Sequence, residues 1–206
     1  MKKLSGRMTF LLILGIFGLP LVLAWMMYTG AVPFRADGTR NQGHLVVPLV
    51  PIKWATDRQE GGWDADSTFA GFWVVVFRPE LPCESGCRQL LENLRQVHRA
   101  AGKDQLRVKL AIVLDSAQDE TELQRMRDIY PRFFLVDKPD AEIFRTLDAA
   151  IHNSDAPAGS ANLYLVDPLG NIMMVYSDED APSGLSKDLK RLLTWSQLDK
   201  SQGVVH

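Results

Sequence analysis

The chain has 206 residues, of which 46% are hydrophobic and 23% charged, with a formal net charge of −2. That composition supports one well-buried core plus an appendage, and its charge balance excludes nucleic-acid binding as a default. The two cysteines are too few to staple a scaffold, and a domain of this size does not need stapling.

Met8 to Tyr28 is a run of 21 residues without a charge. Roughly 20 apolar residues cross a hydrocarbon core, so the run predicts a transmembrane helix over 8–28. Lys2, Lys3 and Arg7 precede it with no acidic residue among them. The positive-inside rule therefore puts residues 1–7 in the cytoplasm and the rest of the chain across the membrane. In a bacterium that means a single-pass inner-membrane protein with a periplasmic domain, where disulfides persist. The competing reading is a cleaved signal peptide ending near Thr29 to Ala31, but its apolar region is usually about 7–15 residues long. Setting aside Lys2, Lys3 and Arg7 takes the formal charge of the remainder from −2 to −5, which suits a basic protein partner.

Residues 29–68 carry Pro33, Gly38, Gly43, Pro48, Pro51, Gly61 and Gly62 and read as an extended tether. An edge strand or small hairpin is expected within it, packed down by Trp54 and Trp63. The domain proper is expected over 69–198, followed by a disordered tail over 199–206. Phe69 to Phe77 is too short for a helix and rich in β-branched and aromatic residues, hence a core strand. Pro79 and Pro82 break it. A helix begins near Gly86, capped by Glu84 or Ser85, with Leu90, Leu91, Leu94 and Val97 on its apolar stripe, and Gly102 ends it.

Leu106 to Leu114 predicts a strand entering a covered sheet. A helix over Glu120 to Tyr130 follows, and Asp115, Asp119, Glu120 and Glu122 read as the acids that favour a first helical turn. Phe133 to Val136 is a short strand, and Ala141 to Ile151 a third helix. Leu163 to Val166 and Ile172 to Tyr176 form a hairpin about the turn Asp167-Pro168-Leu169-Gly170. A last helix runs from Leu185 to about Trp195. Strands alternating with helices, closed by an antiparallel hairpin, make a mixed α/β sandwich.

Cys83 and Cys87 lie between the first core strand and the helix after it. Thiolate attacks disulfides and binds soft metal, and a helix N-terminus favours thiolate. Three readings stay open: thiol-disulfide exchange with a partner, a Cu(I) site of two thiolates, or a structural disulfide in a non-catalytic scaffold. A third copper ligand would come from His152, Met173 or Met174. His98 is eleven residues beyond Cys87, about 16 Å along one helix, too far to share its ion. His44 lies in the tether and His206 at the end of the chain. His152 is also explained by its place at a helix C-terminus, where a cation is favoured.

The order strand, Cys83-Glu84-Ser85-Gly86-Cys87, helix, Ile112-Val113-Leu114-Asp115, then Tyr164-Leu165-Val166-Asp167-Pro168-Leu169-Gly170, resembles the Sco proteins. These are membrane-anchored, thioredoxin-like assembly factors for the copper site of cytochrome c oxidase. The resemblance covers roughly Gly71 to Trp195 and implies a thioredoxin-like mixed sheet flanked by helices. It implies a role in oxidase biogenesis, with an oxidase subunit or another assembly factor as protein partner. It also implies that Cys83 attacks and Cys87 resolves. Sco proteins usually carry a proline after the second cysteine, where this chain has Arg88. Their third copper ligand is a histidine whose place here falls at or near Gly159; no histidine lies between Asn153 and Leu163, and the nearest is His152.

Overall fold

The computed structural model describes residues 6–28, 41–54, 64–80, 82–114, 120–136, 141–157, 161–177 and 181–196. The 199–206 tail, His206, Trp63, Asp115 and Asp119 fall outside the described residues. The chain divides into two compact units, Met1–Arg40 and Asn41–His206.

The first unit holds one helix, α1 (Gly6–Tyr28), of 23 residues. At 1.5 Å per residue it is about 34 Å long, against roughly 30 Å of hydrocarbon. Phe10 and Phe17 are among the large apolar side chains it leaves exposed, and by length and composition the helix is apolar enough to cross a membrane.

The second unit is built on a six-stranded sheet in the order β1-β6-β5-β2-β3-β4, from β1 (His44–Pro51), β2 (Trp73–Phe77), β3 (Val108–Val113), β4 (Phe133–Val136), β5 (Ala161–Val166) and β6 (Asn171–Ser177). β2, β3 and β4 run parallel, while β5, β6 and β1 are antiparallel to their neighbours. The helices of this unit are α2 (Ala65–Phe69), α3 (Ser85–Ala100), α4 (Glu120–Ile129), α5 (Ala141–His152) and α6 (Ala181–Trp195). This is the mixed sheet flanked by helices that the sequence predicts.

Side-chain alternation in β2 divides the core. Trp73, Val75 and Phe77 face a layer with Leu90, Leu91 and Leu94 of α3, Met126 of α4 and Leu185, Leu189 and Leu193 of α6. Val74 and Val76 face the opposite layer, with Ile143, Leu147 and Ala150 of α5 and Phe69 of α2. A strand buried on both faces reads as a continuous apolar run, as β2 does.

Three boundaries differ from the sequence reading. Phe69 ends a short helix instead of starting a strand: the Asp64 carboxylate accepts from the Ser67 N–H at 2.9 Å and starts α2, and Gly71, at φ 78°, turns the chain into β2. Residues Gly102–Arg107 wind as a 3₁₀-helix, so β3 begins only at Val108. The last helix starts at Ala181, four residues before Leu185, with Pro182 in its first turn, where a missing N–H is harmless. The edge strand expected in the 29–68 segment is β1, where Pro48 and Pro51 are tolerated because one side of the strand is unpaired.

The chain enters this unit through a buried carboxylate. Asp188 of α6 is 1% exposed, and its Oδ2 accepts from the Gln42 and Gly43 N–H groups at 2.8 and 2.9 Å. The Tyr176 hydroxyl lies 3.3 Å from the same oxygen. Burial, then the Asp188 charge, pushes the Tyr176 pKa far up, so the phenol stays protonated.

Candidate functional site: a disulfide at the start of α3

β2 runs out at Phe77, and Arg78 N–H donates to the Asn162 carbonyl, fixing the start of β5 beside the end of β2. The chain then reaches Cys83, and α3 begins two residues later. Glu84 takes the cap position in an extended conformation and makes no side-chain cap bond, while its carbonyl accepts from Arg88 N–H. Cys83 therefore stands just outside the helix and Cys87 within its first turn.

The structure joins the two as a disulfide, with Cα atoms 5.3 Å apart. Both cysteines are half-buried and pack against the α3 and α6 layer. Because they are only four residues apart, the bridge closes a small loop, and the chain-entropy estimate for it is about 2 kcal/mol. Against the roughly 5–15 kcal/mol that holds a domain, it is a contribution and not the whole. The two core layers, and not this bridge alone, carry the fold.

Beside the bridge opens a groove of about 740 Å³. Its wall includes Glu80, Glu84, Cys87, Asn93, Asn162 and Pro182, drawn from the β2–α3 connection, α3, β5 and α6. Asn162 Oδ1 is buried without a hydrogen-bond partner, although the same residue's backbone carbonyl is in use. Sequence reasoning missed this groove because its walls come from segments some 80 residues apart, and no local pattern marks them.

The remaining candidates are dispersed. His152 is exposed at the last turn of α5, on the sheet face opposite α3, where Asn153 bonds to Val47 and Pro48 of β1. Met174 is buried with the Tyr176 hydroxyl 3.3 Å from its sulfur. Met173 lines an apolar cavity with Trp73 and Trp195, and His44 opens β1. The His98 ring lies 3.1 Å from the Val108 carbonyl oxygen at the far end of α3, and burial lowers its pKa. Among the described residues no group of three or more His, Cys, Asp or Glu side chains is gathered to hold a metal. The site offers two sulfur donors, and a third-ligand role for His152 has no support from its placement.

A cysteine pair at the N-terminus of the helix that follows a central strand, on a mixed sheet with helices on both faces, defines a thioredoxin-like protein. The family model described as "Transmembrane-like, thioredoxin-like, C-terminal domain" matches residues 73–196, and the chain belongs to that family. No curated protein matches it in sequence.

Solved structures share the fold. Apo Sco1 of Thermus thermophilus aligns at a TM-score of 0.56 with 20% identity, over 77% of this chain and 99% of its own. Yeast Sco1 with copper bound aligns at 0.52 with 13% identity, over 77% of this chain and 96% of its own. A thiol:disulfide interchange protein from Chlorobium tepidum aligns at 0.52 with 12% identity, over 71% and 98%. The Sco-like, thioredoxin-like architecture expected from the sequence is thus the observed one.

Proposed function

We propose that this protein is a membrane-anchored, periplasm-facing thiol-disulfide exchange protein of Sco-like fold, acting in cytochrome c oxidase biogenesis in the bacterial inner membrane. The observation that carries the reading is the Cys83–Cys87 bridge: half-buried, at a helix N-terminus and beside an open groove. Exchange proceeds by thiolate attack on one sulfur of the bridge, through a mixed disulfide with the partner, to a dithiol on one protein and a disulfide on the other. The partner is a protein, an oxidase subunit or another assembly factor, and the single N-terminal span holds the domain at the membrane with the N-terminus in the cytoplasm.

Copper delivery is the second reading, because two thiolates are soft donors suited to Cu(I). Among the described residues no third ligand is gathered beside Cys83 and Cys87, and we weigh exchange above copper delivery on that ground. A non-catalytic scaffold is the third, and the small loop closed by the bridge weighs against a purely structural disulfide.

The deciding experiment replaces both cysteines by serine and measures assembled oxidase activity in cells. Loss of activity with normal levels of the protein is expected; undiminished activity would sink both thiol readings and leave the scaffold. Titrating the reduced full chain with Cu(I) separates the other two, since stoichiometric tight binding would move the assignment to copper.

A further inference from the structure

The groove beside the bridge has a chemical bias of its own. Its charged wall residues are Glu80 and Glu84, both exposed, and among the described residues no lysine or arginine lines it. The carboxamides of Gln89, Asn93 and Asn162 supply donors and acceptors suited to a polypeptide backbone. The volume, about 740 Å³, falls within the range of ligand clefts, about 300–1,000 Å³. Of the two cysteines, Cys87 is the one in the groove wall, which reverses the order that the Sco resemblance implies, with Cys83 attacking and Cys87 resolving.

We propose that the groove recognises a cationic, cysteine-bearing segment of the partner protein, and that the partner's sulfur meets the bridge at Cys87. Two carboxylates at the mouth attract a lysine or arginine beside the partner's cysteine and repel an acidic flank. This rests on the exchange reading above and adds what the partner segment is and which sulfur it meets.

The step balances with the partner as the only co-reactant. The partner thiolate attacks Cys87 Sγ, the Cys83–Cys87 bond breaks and Cys83 leaves as thiolate. A second partner thiolate then attacks the partner sulfur of the mixed disulfide, and Cys87 leaves as thiolate. The partner departs as a disulfide, oxidised by two electrons, and the chain holds the reduced pair. The protons lost by the partner's thiols pass to solvent and are regained there by the departing thiolates according to their pKa values.

The test uses the oxidised full chain in neutral detergent and two synthetic peptides with one cysteine each, flanked by lysines or by glutamates. Each exchange rate is divided by the same peptide's rate with hydroxyethyl disulfide, which removes the effect of the flanks on the thiol itself. The lysine peptide is expected to be favoured about tenfold or more at low salt, with the preference collapsing near 0.5 M salt. The double variant Glu80→Gln/Glu84→Gln, altered only at exposed positions, is expected to lose the preference.

In reduced Cys83→Ser and Cys87→Ser chains, offered the peptides as mixed disulfides with thionitrobenzoate, the charge preference is expected at Cys87 and not at Cys83. Equal normalised rates, or a preference that survives the double variant, overturn groove recognition while leaving exchange intact. A preference seen at Cys83 alone overturns the assignment to Cys87. No exchange with either peptide overturns the exchange reading and this inference with it.

Discussion

Asp188 illustrates how one buried charge ties distant parts of the chain together. Removing its carboxylate strands the Gln42 and Gly43 N–H groups and leaves the Tyr176 hydroxyl only the Met174 sulfur, so Asp188→Ala is expected to cost about 2–4 kcal/mol in urea unfolding. Asp188→Asn keeps an acceptor and is expected to cost about half as much. Gly43→Ala would set a Cβ 2.6 Å from the Tyr176 ring and should lower the unfolding midpoint. Gly184→Ala meets the Gln42 Cβ at 2.9 Å and should be destabilising as well. His98 gives a pH signature: burial holds its pKa below the ordinary 6.5, so the unfolded chain binds more protons than the folded one as pH falls below 6.5. Stability from this residue is therefore fully present above 6.5 and declines on acidification until the folded pKa is passed. A His98→Gln variant should show a flatter stability profile between pH 7.5 and 5.5.

At the scale of elements, the bridge and α3 make a separable prediction. Reduction should lower the unfolding midpoint by about 4–8 °C and leave the far-ultraviolet circular dichroism below the transition unchanged, because about 2 kcal/mol of loop entropy is at stake. Collapse of the fold on reduction would show the bridge to be a staple. The elements that could be read from sequence are those whose burial is local and periodic: Trp73-Val74-Val75-Val76-Phe77 for β2, the leucine stripe for α3, and Asp167 to Gly170 for the β5–β6 turn. In that turn Asp167 Oδ1 accepts from the Leu169 and Asn171 N–H groups and Gly170 takes φ 85°. Asp188 escaped notice because an acid inside a helix ordinarily faces water. Its signal is spacing, three residues after Leu185 and four before Leu192, on the apolar stripe. The cysteine pair was legible from its position alone, whereas the groove depends on Asn162 and Pro182, which only the tertiary fold brings beside Cys87.

For the whole molecule, the proposed topology predicts that the full chain sediments with membranes and that a form lacking residues 1–28 does not. It also predicts that a membrane-impermeant maleimide labels the reduced pair in intact spheroplasts; labelling only after lysis would reverse the orientation. The entry of the chain into its second unit has a mechanical consequence. β1 is an edge strand whose first residue, His44, pairs with Val175, and immediately before it two N–H groups rest on a single carboxylate of α6. Tension applied to the chain N-terminal to Gln42 would load that latch first. Once it yielded, β1 would begin to come away from β6 at His44 and Leu45. Asp188 thus sets the force threshold at which this domain starts to peel, and a single-molecule pulling measurement from the N-terminus should find that threshold lowered by Asp188→Asn.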